Sequence, residues 1–226
     1  MAKWQALLRS QELWKPASAL YTISKESKFA EVEVPALKKL FYKGLSRGAI
    51  TEIYGHRSAG RTSACLHILA QTTTGGEMCA VVDTHDSFDP ASAQAAGVKL
   101  ERLIWVRCRG NAEYALRAAD LLLHAGGFGL VLLDVCETPA RVLNRIPLSY
   151  WYRFRKAVEH TPTVLLLCAD LPQAKSCSSI NVELKSKLFH WSGKAPFRLL
   201  QGLHAIALVH KRSALQKQSL SIRSVA

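Results

Sequence analysis

The sequence predicts an α/β fold: a mostly parallel sheet flanked by helices on both faces, with antiparallel strands at its C-terminal edge. Three observations predict it. Short, near-continuous apolar runs such as 130–134 and 163–169 alternate with longer helical patterns, and strands of that kind are buried on both faces of a parallel sheet. Between the first such strand and the first helix after it lies a glycine-bearing string, 55–62, of the type that cradles phosphate. After Pro172 the alternation stops, and residues 184–190 with 203–210 read as antiparallel strands appended to the sheet edge.

The elements follow in order. Residues 3–13 set Trp4, Leu7 and Leu8 on one face, the mark of an amphipathic helix, and Pro16 ends it. Residues 15–34 are mixed and polar and read as a connector. Pro35 opens a short helix over 36–41, closed by the turn around Gly44, Ser46 and Gly48. Strands are then expected over 49–54, 78–83, 103–106, 130–134 and 163–169. Helices are expected over 61–73, 90–96, 112–124 and, as one long element, 141–159. The polar, basic end should fray. The organisation expected is an N-terminal helix and connector over 1–33, a core domain over 34–210 and a basic C-terminal tail over 211–226.

A chain of 226 residues can bury one full core, and 49% hydrophobic with 21% charged residues excludes a disordered or low-complexity chain. The longest apolar run, 125–133, is broken by glycines and stops at Asp134, far short of the roughly 20 residues that span a bilayer. Charges throughout the first thirty residues leave no apolar stretch for a secretory signal, so a cytoplasmic protein is expected. Six cysteines, at 65, 79, 108, 136, 168 and 177, lack zinc-site spacing and read as buried free thiols; the histidines also lack ligand spacing. No metal site is expected. The formal charge is +13, and from residue 171 onward nine basic residues face one acid, Glu183. That imbalance suits a polyanion or an acidic protein surface, although a basic surface that only confers solubility would look the same.

The string Gly55, His56, Arg57, Ser58, Ala59, Gly60, Arg61, Thr62 fits the phosphate-loop pattern at every fixed position except the lysine, which is Arg61. Glycines let successive N–H groups turn inward, and the following helix aims its positive end at the same point. A guanidinium is wider and more rigid than an ammonium, so nucleotide binding is compatible with Arg61 while hydrolytic geometry is doubtful. Thr62 can offer a hydroxyl to magnesium, and Asp134, closing a continuous apolar strand, is the expected carboxylate near that ion; a strand-end turn is the plain alternative.

These residues resemble the RecA family. Gly48-Ala49-Ile50-Thr51-Glu52-Ile53-Tyr54-Gly55 resembles its first core strand, and Cys79-Ala80-Val81-Val82-Asp83 with Phe88-Asp89-Pro90 its second strand and following loop. The resemblance runs from about residue 34 to 209 and implies ATP and magnesium as the ligands of the loop. It also implies a water-activating glutamate two residues after Asp83, where this chain has His85, and a phosphate-sensing glutamine near Asp170. Departures at Arg61, His85 and Asp170 point to lost turnover and no catalytic residue, since base help and charge stabilisation each contribute orders of magnitude in rate. Asp86 could replace the glutamate after a one-residue shift.

Within the RecA-like proteins the chain looks most like the ImuA family, accessory proteins of bacterial translesion mutagenesis. The loop with Arg61 carries this, together with Leu199-Leu200-Gln201-Gly202-Leu203-His204 leading to Val209-His210-Lys211-Arg212. The resemblance implies a role in the SOS response to DNA damage. It implies an ImuB-like Y-family polymerase homologue as partner, with RecA and an error-prone replicative-type polymerase as further partners.

Three regions are candidates for contact with a partner or DNA. Trp151, Arg153 and Arg155 stand in an aromatic and basic mixture that could stack bases, although on a helix these residues point in different directions and packing competes. Lys175 lies in a polar loop, and Lys194, Arg198, Lys211, Arg212, Lys217 and Arg223 form an acid-free arm mixed with Leu199, Leu200 and Leu203. Three readings follow: a non-catalytic adaptor, a functional ATPase or recombination mediator, and a DNA-binding module.

Overall fold

The computed structural model describes residues 28–30, 41, 44–211 and 214–223, with residues 211 and 214–223 described by backbone alone. The helix expected over 3–13 and nearly all of that over 36–41 lie outside these residues. A two-stranded ladder joins β1 (Phe29–Ala30) to β2 (Leu45–Ser46). The main sheet contains β3 (Ala49–Gly55), β4 (Cys79–Asp83), β5 (Leu103–Arg107), β6 (Leu130–Asp134), β7 (Val164–Ala169), β8 (Ile180–Ser192), β9 (Leu199–Lys211) and β10 (Ala214–Arg223). Their order is β10-β9-β8-β3-β7-β6-β4-β5. The pairs from β8 to β5 are parallel, and β8-β9-β10 is an antiparallel meander. The predicted fold class is therefore the observed one.

Among the described residues, five helices cross between strands: α1 (Arg61–Thr74), α2 (Pro90–Ala95), α3 (Ala112–Ala125), α4 (Ala140–Leu143) and α5 (Leu148–Val158). Their starts follow local chemistry. The Asp89 carboxylate accepts from the Ala91 and Ser92 amides ahead of a helix opened by Pro90, and the Asn111 side chain accepts from the Tyr114 amide at 3.0 Å. Successive strand residues face opposite sides, so the sheet buries two cores. Ile53, Val81, Leu132 and Leu166 pack with Cys65, Ile68 and Leu69 of α1. Ile50, Val82, Leu133, Leu165 and Leu167 pack with Leu116 and Leu123 of α3 and with Trp151 and Phe154 of α5.

Two sequence expectations need correction. The single helix over 141–159 is two helices, because Pro147 is extended (φ −62°, ψ 146°) and has no N–H to continue a helix, and so α5 restarts after it. The end expected to fray is instead β10, paired along its whole length with β9 from Ala214↔Lys211 to Arg223↔Gly202. Its composition is polar, but a backbone ladder does not depend on apolar side chains. The strands expected over 184–190 and 203–210 are also longer than periodicity indicated: β8 begins at Ile180, where it runs parallel to β3.

Arg47 ties the turn before β3 to the far end of α1. Its guanidinium donates to both Glu77 oxygens at 2.9 and 2.7 Å and to the Pro162 carbonyl at 2.8 Å. Gly129 has no Cβ where one would stand 1.9 Å from a Glu77 oxygen, so a glycine there makes room for this pair.

Candidate functional site

The candidate site lies at the C-terminal ends of β3, β6 and β7, the edge where open parallel sheets bind ligands. Gly55 closes β3 with its would-be Cβ position 2.2 Å from the Leu184 carbonyl, so β8 passes too close for any side chain there. The chain then turns through Ser58 (φ 58°) and Gly60 (φ 91°) into α1. His56, Arg57, Ser58 and Thr62 are exposed, and Ala59 is buried. This is the curled strand-loop-helix that the spacing from Gly55 to Thr62 predicts.

Arg61 does not point to solvent. It is 7% exposed, and one guanidinium nitrogen donates to the Ala169 carbonyl at 2.7 Å and to Asp170 Oδ1 at 2.5 Å. Asp170 Oδ2 in turn accepts from the Glu137 amide at 2.8 Å, and the Glu137 carboxylate pairs with Arg57 at 2.8 Å. The loop after β6, the end of β7 and the phosphate loop are thus laced together by their own charges. Asp170, where the RecA resemblance implies a phosphate-sensing glutamine, neutralises the Arg61 cation of the loop.

The remaining expected positions are also occupied. Asp134 is half-buried and accepts from the Cys136 amide at 2.9 Å, the strand-end turn named as the plain alternative, and burial pushes its carboxyl up. His85 Nε2 stands 3.1 Å from the Thr138 hydroxyl. Asp83 takes bonds from the Ser87 and Phe88 amides and from Trp105 Nε1 at 3.2 Å, and Asp86 pairs with Arg107 at 2.9 Å. Asp83 is bonded through both oxygens, while Asp86 keeps Oδ1 without a partner. A phosphate site that keeps its buried cation internally bonded fits nucleotide hydrolysis poorly.

Residues 35–142 match the family described as RecA N-terminal domain. Over those residues this chain is similar to RecA. Protein RecA of Rhodospirillum rubrum is 41% identical over 91 residues, which is 40% of this chain and 25% of that relative. The chain therefore matches about a quarter of the relative's length. The RecA-like match takes in the phosphate loop, His85 and Asp134, and ends before β7 and Asp170.

Residues expected to touch a partner fall into different settings. Trp151 is 2% exposed and packs edge-on to Phe154 at 5.8 Å, so it is a core residue and not a contact residue: α5 turns that face onto the sheet. Arg153 binds Asp120 on α3 at 3.0 Å, and Arg155 is half-buried beside Gly48 and Ser179. Lys175, Lys194 and Arg198 are exposed. Lys211 lies on β9 and Lys217 and Arg223 on β10, while Arg212 lies outside the described residues. Around Lys194 and Arg198, the far end of the β8–β9 hairpin exposes Leu188, Phe189, Trp191, Phe197, Leu199 and Leu200. Phe189, Trp191 and Leu200 also wall a cleft of about 470 Å³ that reaches Arg61 and Thr62.

Sequence reasoning missed two features. Glu52 is fully buried in β3, where Oε1 accepts the Gln173 and Ala174 amides and Oε2 has no partner; burial pushes its carboxyl up to about 7. Cys136 and Cys168 stand with their sulfurs 3.4 Å apart beside Asp134. No local spacing announces either, because the groups meet only through strand pairing.

Proposed function

We propose that this protein is a non-catalytic RecA-like accessory protein that supports damage-induced translesion synthesis, the role of the ImuA family, by binding an ImuB-like Y-family polymerase homologue. RecA and an error-prone replicative-type polymerase are its further partners in this reading. The observation that carries it is the Arg61 bond set: the cation of the phosphate loop is held by Ala169 and Asp170 and not kept for a nucleotide. ATP and magnesium, the ligands of RecA-type loops, are then dispensable, and the product of the fold is its surface. The choice of partner rests on the ImuA-like strings at 199–204 and 209–212. The exposed apolar end of the β8–β9 hairpin supports it, because a patch of that kind between basic residues marks a protein contact more than a DNA contact.

Two measurements on the purified chain test this. Magnesium-dependent ATP turnover should not exceed background, and Arg61→Lys should not restore it, because the carboxylate absent at His85 is still absent. Pull-down with the ImuB-like protein should retain the chain without added nucleotide. Turnover near one per second that Asp134→Asn abolishes, or a complex that forms only with ATP, would overturn the reading.

A further inference from the structure

Beneath the phosphate loop three chemically soft side chains and one carboxylate converge from separate elements. Asp134 ends β6, Cys136 follows two residues later, and Cys168 lies beside Asp134 on the paired strand β7. Cys65 of α1 lies near Cys168. The Asp134 carboxylate and the Cys136 and Cys168 sulfurs all lie within 4.8 Å of one another. Cys136 is half-buried, which leaves a way in from solvent, whereas Cys65 and Cys168 are each 2% exposed.

We propose that Cys136, Cys168 and Asp134 form a binding site for a thiophilic divalent cation of the zinc class, with a water in the fourth position. The dimensions suit it. Tetrahedral Zn–S bonds of about 2.3 Å place two sulfurs about 3.8 Å apart, a few tenths of an ångström beyond the observed 3.4 Å. Two thiolates favour zinc over magnesium, which takes oxygen ligands in an octahedron. The divalent ion would offset two of the three negative charges that two thiolates and a carboxylate bring, and Arg61 lies close enough for its charge to act on both cysteines and on Asp134. On binding, each thiol passes its proton to solvent as a metal–sulfur bond forms, and no electron is transferred. Affinity should therefore rise with pH. The main strands of the sheet hold two of the ligands, so the site is largely built before the ion arrives. This inference does not depend on the partner proposed above.

The test uses the full chain, reduced with a phosphine and freed of metal by a chelator. Zinc should bind at one equivalent per chain after desalting, and cobalt should give the sulfur-to-cobalt charge-transfer band in the near ultraviolet. Cys136→Ser should abolish the band, Asp134→Asn should weaken zinc binding at least about tenfold, and Cys108→Ser, whose sulfur lies in the opposite core, should change neither. Zinc should raise the melting temperature of the parent chain and not that of Cys136→Ser, which keeps the test valid even where the variant is less stable. Failure of the reduced chain to retain zinc would overturn the proposal. So would a cobalt band unchanged in Cys136→Ser, or a Cys136–Cys168 disulfide whose reduction does not restore zinc binding.

Discussion

Arg61 shows how one substitution redirects a site. A lysine at this point of a phosphate loop is a flexible point charge that can follow a ligand, while a guanidinium is a planar donor that rewards fixed acceptors, here Ala169 and Asp170. Removing Asp170 leaves that cation buried without its counter-ion. Asp170→Ala should therefore destabilise the chain by about 2 kcal/mol in urea unfolding, less than the roughly 3–5 kcal/mol of a fully buried pair because water still reaches Asp170. No loss would mean that the pair does not hold the loop. Glu52 makes the opposite case. Its folded carboxyl titrates at about 7 against an ordinary 4.5, so between those values the folded chain binds the extra proton. Stability from this group is full below about pH 4.5, falls as pH rises through the window and is constant above it. Glu52→Gln keeps an oxygen for the Gln173 and Ala174 amides and removes the charge. It should stabilise the chain by about 2–3 kcal/mol at pH 8 and change little at pH 4.5; equal effects at both would refute the assignment.

Helices and strands differed in how visible they were. Helices α1, α2 and α3 ended within a residue or two of their sequence positions because glycine, proline, Asp89 and Asn111 act through the local chain alone. The long helix over 141–159 failed at Pro147, where the pattern of apolar residues continues across a backbone that cannot. β10 failed for another reason: its strand state depends on β9 lying alongside, which no window of polar residues can reveal. It covers an edge that would otherwise carry a row of open N–H and carbonyl groups. A chain ending at Lys211 should thus keep its far-ultraviolet circular dichroism but self-associate in sedimentation, through the uncovered β9. A monomeric truncated chain would show that β10 has no protective role.

Across the molecule, the apolar and basic surface of the β8–β9 hairpin lies beside the degenerate site, with Phe189, Trp191 and Leu200 walling the cleft that reaches Arg61 and Thr62. The sheet and its two cores bring Arg61, Asp134 and Asp170 together at one edge, while the β8–β9 hairpin carries Trp191 and Phe197, at 55% and 84% exposure, beside Lys194 and Arg198. Central aromatic residues dominate protein interfaces, so Trp191→Ala should weaken the proposed polymerase-type complex by about 2 kcal/mol, close to thirtyfold in affinity. Salt distinguishes the partners: a complex anchored by Trp191 should lose little between low and physiological salt, whereas any DNA complex should fall log-linearly with salt. A steep salt slope toward the protein partner, with no effect of Trp191→Ala, would move the contact to the basic arm. Among the described residues no helix is long and apolar enough to cross a membrane.

The sequence by itself determined the sheet class, the curled loop from Gly55 to Thr62, the RecA-like resemblance and the missing lysine and glutamate, because each is written in adjacent residues or in a short period. Only the tertiary structure decided what became of them. Asp170 lies 109 positions from Arg61 and Cys168 lies 32 from Cys136; the first pair exists only once β3 and β7 align, and the second only once β6 and β7 do. The same holds for Trp151: its place among basic residues is local, but its burial follows from which face of α5 the sheet accepts. Local sequence specifies backbone preference and residue chemistry, whereas burial, pairing and the titration of Glu52 arise from neighbours distant in the chain, and those the fold alone supplies.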